Sequence, residues 1–154
     1  MRQRRNGRQR SGSRGGVLVE FAFGALFLVP ILMGTFSFGM AIRDYNILQT
    51  NVRNAARFAS LQDYDSATSE PSAVYDSRIR NLVVYGDPDA QGTKLLPRLT
   101  TGNVLINIEM RNNVPYQVTV SIVDYTLVDF FRPISITNKP TSTFPYMGRF
   151  VPPV

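Results

Sequence analysis

The side chains that most often carry out chemistry in proteins are scarce in this sequence. It contains no histidine and no cysteine, which removes imidazole acid–base chemistry, thiol nucleophiles and the usual zinc ligands. A serine nucleophile would then need a lysine or a carboxylate as its base, and the two lysines, Lys94 and Lys139, lie in polar stretches. We therefore predict no catalytic residue, no cofactor and no enzymatic activity.

A pair of carboxylates stands in the segment Gly86-Asp87-Pro88-Asp89. Two aspartates at this spacing could contribute to a calcium site, but the ligand series of an EF-hand loop is missing. Gly, Asp and Pro in such a cluster are typical of a turn. We predict a solvated turn here and no metal site.

Glu20 is the one charged residue in the apolar segment, a run of 26 residues from Val17 to Ile42. As a helix this run would measure about 39 Å at 1.5 Å per residue, which exceeds the roughly 30 Å of a bilayer's hydrocarbon core. We predict a transmembrane helix over residues 16–42. A charged residue at mid-bilayer costs about 2.5–3.5 kcal/mol by insertion scales, so Glu20 either reaches the headgroups or acquires a partner on assembly.

Other residues of the apolar segment bear on its shape and packing. Pro30 lacks an amide donor and should kink or loosen the helix. Small side chains allow another helix to approach closely, and we predict this role for Gly24, Gly34, Ser37, Gly39 and Ala41. The segment exceeds a signal-peptide core, yet Gly39-Met40-Ala41 is an acceptable cleavage site, so an exported protein cut near Ala41 is one alternative.

Residues 1–15 hold six arginines and no acid, and these arginines account for the whole formal charge of +6. A basic arm could bind nucleic acid, but no further basic patch follows it. Immediately before an apolar segment it is the positive-inside signal that keeps an N-terminus cytoplasmic. We predict a basic cytoplasmic leader over residues 1–15, a lipid bilayer as partner, and no nucleic-acid partner.

The rest of the chain favours an α+β fold: a long helix, a helical stem over residues 43–62, then a β-containing head. On the stem, Leu48, Val52, Ala55 and Ala59 recur at helical spacing. Arg53 and Arg57 share another side, which is either solvated or in contact with acidic groups of adjoining subunits.

The predicted head follows a turn-rich connecting region, residues 63–103, in which 78–85 fits a strand or a helix end equally well. We predict a β-rich head over residues 104–144, with an antiparallel hairpin of 104–110 and 117–123 joined by a loop. A Pro-containing tail, residues 145–154, closes the chain.

Gly15-Gly16-Val17-Leu18-Val19-Glu20-Phe21 resembles the processing site of type IV prepilins, which have glutamate and then an aromatic residue at the fifth and sixth mature positions. Phe21 in place of tyrosine, the run VEFAF and the mid-helix Pro30 are similar to TadE-like pseudopilins of the tight-adherence (Tad/Flp) branch. Residues 49–59 (QTNVRNAARFA) resemble that family's post-membrane helix, although its second arginine is missing here. TadE-like and TadF-like branches share this layout.

The resemblance implies a minor pilin or pseudopilin that a prepilin peptidase cleaves between Gly15 and Gly16. Glu20 would then pair with a neighbour's new α-amino group and, with Phe21, set the register of assembly. The implied partners are other pilin and pseudopilin subunits and the inner-membrane assembly platform. The implied location is the inner membrane with the C-terminal domain periplasmic, or the pilus and cell surface after assembly. The alternative is an uncleaved bitopic membrane protein whose periplasmic domain binds another protein.

Overall fold

The computed structural model describes residues 13–127 and 132–151, with side chains from Gly15 onward. Predictions that concern residues 1–12, Pro152 and Pro153 lie outside this part. The described residues form two α-helices, a short 3-10 turn and five strands. Their bounds are α1 Ser13–Leu61, α2 Ala73–Tyr85, β1 Val104–Arg111, β2 Val114–Ile122, β3 Tyr125–Leu127, β4 Ile134–Ile136 and β5 Thr141–Pro145. The predicted α+β class is confirmed.

Helix α1 is one element of 49 residues that includes both the apolar segment and the stem. At 1.5 Å per residue it is about 74 Å long. It continues through Pro30 without interruption. The rest of the chain packs along its second half, and we call residues 43–127 and 132–151 the folded domain.

The buried face of the stem is the one predicted from spacing, because Leu48, Val52, Ala55 and Ala59 have no exposed surface. Three of the residues buried on the stem are alanines, Ala56 being the third. Their short side chains let α2 and the sheet come close to the helix backbone. The sequence periodicity therefore identified the core face of the stem correctly.

Helix α2 occupies residues 73–85 of the region predicted as turn-rich, so residues 78–85 are helical. Ser72 caps its N-terminus by accepting a hydrogen bond from the Tyr75 amide, and Gly86 ends it with a left-handed backbone, φ 75°. Its inner face buries Tyr75, Ile79 and Val83. Polar residues between these positions and the β-branched Val83–Val84 pair blurred the helical pattern in the sequence.

Strands β1, β2 and β5 form an antiparallel sheet in the order β1-β2-β5, and β3 pairs with β4. The predicted hairpin is confirmed, but its loop is shorter than the predicted residues 111–116. Only Asn112 and Asn113 lie between the strands, both with positive φ (53° and 60°), as the two-residue turns that match strand twist require. Asparagine tolerates this left-handed backbone, so the two residues suffice for the turn. The strands can therefore continue up to the turn, beyond the β-branched runs that predicted them.

Residues 146–151 pack beyond the end of α1. The Met147 amide donates to the Ser60 carbonyl at 2.8 Å, and backbone hydrogen bonds join Tyr64 to Arg149 and Val151 at 2.9 and 2.8 Å. The rings of Tyr64 and Tyr146 meet edge to face at 6.3 Å between centroids. The described part of the predicted tail is therefore tied to the folded domain, where it closes the far end of the core.

Candidate functional site: the apolar segment and the exposed face of the stem

The apolar segment has almost no contact with the rest of the chain. Phe21 is 74% exposed and Phe36 is 72% exposed, and large apolar side chains point outward on every side of the helix between them. A water-soluble monomer rarely exposes a continuous apolar surface of this extent. By length and composition, α1 is the one described helix that could cross a membrane.

The predicted processing and register residues are exposed near the start of α1. Gly15, Gly16 and Glu20 are all accessible, and a Cβ on either glycine would meet nothing within 4 Å. Gly16 and Glu20 are four residues apart, about 6 Å along the axis and on the same side of the helix. Within the described residues, Glu20 makes no ion pair or hydrogen bond. No residue from Gly15 onward in the described part of the chain therefore serves as a partner for this carboxylate.

The five small residues of the apolar segment divide into two groups. Gly24 and Gly39 are exposed, with open space around them. Gly34 and Ser37 are half-buried and Ala41 is only 5% exposed, and their spacing of three and four residues continues the buried face of the stem. Ala41 is thus covered within one chain, a distinction that composition alone could not make. Gly24 and Gly39 are the positions of the five that stay open to a neighbouring helix.

Arg53 and Arg57 lie on the exposed face of the stem, one helical turn apart. They line a groove of about 530 Å³ with Gln49, Asn54 and the ring of Phe144 from β5. Neither arginine forms an ion pair with another described residue. The sequence predicted the two arginines but not Phe144, which strand β5 brings to the groove from far along the chain.

Some other charged groups of the folded domain have structural partners. Arg80 binds the Asp76 carboxylate at 2.6 Å and donates to the carbonyls of Thr101 and Val104 at 2.8 and 2.5 Å, which joins α2 to the start of β1. Asp87 accepts from the Asp89 amide at 2.8 Å. In the part of the chain that the structure describes, no group of three or more acidic side chains could hold a metal ion.

Buried tyrosines make up the titratable part of the core. Burial raises the pKa of Tyr64, Tyr75, Tyr125 and Tyr146 above its ordinary value. Tyr75 donates its hydroxyl to the Ala59 carbonyl at 2.7 Å, and Tyr64 donates to the Thr68 carbonyl at 2.6 Å. Both hydroxyls satisfy backbone carbonyls: that of Tyr75 joins α2 to α1, and that of Tyr64 closes the loop between the two helices, which is a structural role.

Together, these features define a protein with one candidate membrane-spanning helix that continues as the central element of a small α+β domain. The family model described as TadE-like protein matches residues 15–57, so the resemblance is confirmed and this segment is TadE-like. The match associates the chain with tight-adherence (Tad) pilus systems and with their membrane-bound components. It ends within the stem, before α2 and the sheet. Comparisons with curated proteins and with solved structures give no match.

Proposed function

We propose that the chain is a minor pilin or pseudopilin of a bacterial tight-adherence pilus. The observation that carries this proposal is the exposed Glu20, which has no partner among the described residues, near the start of an apolar helix whose residues 15–57 match the TadE-like family. A carboxylate in such a segment is expensive in an isolated chain. Its presence is explained if assembly supplies the missing cation.

The proposed cation is the α-amino group that prepilin peptidase creates at Gly16. An ion pair in a low-dielectric medium offsets the desolvation of its two charges only when both are present and well placed. Because both groups lie on the same side of α1, about 6 Å apart along its axis, a neighbour shifted along the fibre by about one turn could pair with either one. Phe21, beside Glu20 and 74% exposed, would pack against that neighbour.

Gly24 and Gly39 are proposed to admit the neighbouring helix, because no described residue lies within 4 Å of a Cβ added at either position. Further out, the groove of Arg53, Arg57 and Phe144 is proposed to receive acidic side chains of an adjoining subunit. Two guanidinium groups one turn apart, beside an aromatic wall, suit carboxylate recognition. A solvated face is the alternative for this groove.

The proposed role is structural and not enzymatic: the apolar helix enters or primes a helical fibre, and the folded domain decorates or caps it. The proposed location is the inner membrane, with the leader cytoplasmic and the folded domain periplasmic, until the subunit enters the pilus. The proposed partners are the prepilin peptidase, other pilin and pseudopilin subunits and the assembly platform. A bitopic protein that is never cleaved is the second candidate, since the same helix would anchor it.

Replacement of Glu20 distinguishes the minor pilin from the uncleaved bitopic protein. We expect Glu20→Gln to be cleaved like the wild type but to fall at least about tenfold in the sheared pilus fraction, as loss of a buried charge pair costs several kcal/mol. Glu70→Gln is the matched control, because Glu70 is exposed in the loop before α2. Absence of the wild type from pili would support the bitopic anchor instead, whereas equal recovery of both variants with pili would contradict the proposed role of Glu20.

A further inference from the structure

The loop after α2 brings one apolar side chain of the folded domain down to the apolar segment. The Leu95 amide donates to the Val84 carbonyl at 2.9 Å, and the Leu95 side chain packs beside Gly86. Leu95 thereby becomes one wall of a groove whose other wall is α1. The volume of this groove is about 790 Å³. Its helix wall includes Gly39, Ile42, Arg43 and Asn46.

The position of this groove along α1 places it next to the proposed membrane-spanning segment. Gly39 and Ile42 belong to the last turn of the apolar segment, so a bilayer that covers the segment reaches the bottom of the groove. Ala41, on the opposite side of the same turn, is 5% exposed. With the bilayer in that position, no free length of helix separates it from the folded domain, and Leu95, 39% exposed, would lie at the interface.

Among the described residues that line this groove, one is charged, Arg43. Arg43 is exposed in the groove and has no ion pair among the described residues. Lys94, beside Leu95, and Arg98 are also exposed. Acids also lie at this end but outside the groove lining: Asp44, half-buried, acts with Arg98 on Tyr125, Asp124 precedes that tyrosine, and Asp87 follows Gly86. An arginine above an apolar turn extends its side chain along apolar surface and holds its guanidinium among phosphates.

We propose that the groove between Gly39, Ile42, Arg43 and Leu95 binds the headgroup of an anionic phospholipid from the leaflet that faces the folded domain. The acyl chains continue along the exposed helix below, and Arg43 binds the phosphate. Basic residues near an anionic surface contribute about 1 kcal/mol each, or roughly a fivefold preference. The site is that of the subunit in the membrane, before a neighbouring helix reaches Gly39, so the proposal depends on membrane insertion alone and not on the pilus function.

A fluorescent label in the groove tests this proposal on the full chain in vesicles. The protein has no cysteine, so Asn46→Cys gives one bimane label at the groove while Arg43 and Leu95 stay intact. The vesicles contain equal parts of phosphatidylglycerol and phosphatidylcholine, with a trace of either lipid carrying a headgroup nitroxide. We expect the phosphatidylglycerol nitroxide to quench the label about fivefold more effectively. A label at Val74→Cys, at the far end of α2, should be quenched by neither.

Charge variants identify the group responsible. Arg43→Gln should remove the preference for phosphatidylglycerol, whereas Arg111→Gln, which makes the same charge change at the β1–β2 turn, should keep it. Equal quenching by the two nitroxide lipids, or the same loss in both variants, would overturn a specific headgroup site. Quenching that disappears as the protein-to-lipid ratio rises would show that a second copy fills the groove, and would overturn it as well.

Discussion

The two halves of α1 share one helix and present opposite surfaces. Below residue 41 its apolar side chains point outward on all sides, and above it Leu48, Val52, Ala55 and Ala59 are fully buried against α2 and the sheet. The lower half has apolar residues all round, whereas the upper half has them on one face and arginines on another. A helix that is apolar all round requires an apolar environment, and one with a single apolar face requires one packed partner.

The same residue types therefore serve different purposes in the two halves. Gly24 and Gly39 in the lower half have open space around them, which the proposed function assigns to a helix of another subunit, whereas alanine in the upper half admits elements of the same chain. The change occurs at Ala41, which is already covered. Stability of the folded domain should then depend on the upper half, and association with membranes and with other subunits on the lower half.

Truncation of one leucine in each half tests this division most strongly. Leu48→Ala should lower the free energy of unfolding of the folded domain by about 2–5 kcal/mol, since it leaves a cavity in the core. Leu28→Ala, in the exposed lower half, should change it by less than about 0.5 kcal/mol. Urea denaturation of the detergent-solubilised chain, followed by tyrosine fluorescence, measures both. Similar losses would mean that the apolar segment also packs on the folded domain.

Close packing at the far end of the domain predicts a smaller effect. A Cβ at Gly148 would overlap the Gln62 carbonyl oxygen and lie 2.8 Å from the Tyr146 hydroxyl. Gly148→Ala should therefore destabilise the domain by about 1–3 kcal/mol through overpacking. Gly102→Ala is the control, because its Cβ would meet only Thr100 Oγ1 at 3.7 Å. If the two variants were equally stable, residues 146–151 would not be anchored as described.

The buried tyrosines predict that the domain is destabilised at alkaline pH. Burial raises the pKa of Tyr75 above its ordinary value of 10.0, and the nearby Tyr146, Tyr64 and Asp65 raise it further. Above pH 10 the unfolded chain loses this proton more readily than the folded one, so stability is complete below that pH and falls as the pH rises. Thermal unfolding as a function of pH measures the fall. Tyr75→Phe should make it shallower; an unchanged slope would contradict this origin.

The exposed face of the stem predicts the smallest effect on stability. Arg53 and Arg57 have no partner within the described chain, so the double variant Arg53→Gln/Arg57→Gln should change the free energy of unfolding by less than about 0.5 kcal/mol. Its recovery in the pilus fraction should nevertheless fall if the groove meets acidic groups of a neighbour. Arg111→Gln provides a control with both readouts. Full recovery of the double variant would leave these arginines as a solvated face.

Sequence periodicity was sufficient to predict the elements in which a single pattern of burial or exposure repeats along the segment. The apolar segment, the buried face of the stem and the alternating Val118, Val120 and Ile122 each repeat a single pattern, and the structure confirms them. Helix α2 carried two signals, because Ser72 and Gly86 mark helix ends while Val83 and Val84 favour a strand. Its identity depends on packing against α1, which no local pattern records.

Only those residues of the candidate site that are close to one another in sequence could be predicted. Gly15, Gly16, Glu20 and the arginine pair are recognisable because they are close in sequence. Phe144 beside Arg57, and Leu95 beside Ile42, are brought together only by the fold. The division of the small residues at Ala41 likewise depends on where the folded domain meets the helix.

N-terminal sequencing of the protein recovered from membranes, with and without an active prepilin peptidase, tests the central claim most directly. We expect a mature start at Gly16 when the peptidase is active and a start at Met1 when it is not. A start at Met1 in both samples would contradict the pilin-like account and leave a simple membrane anchor. A start near Ile42 would contradict it too, because the apolar segment would then be a signal peptide that the mature protein lacks.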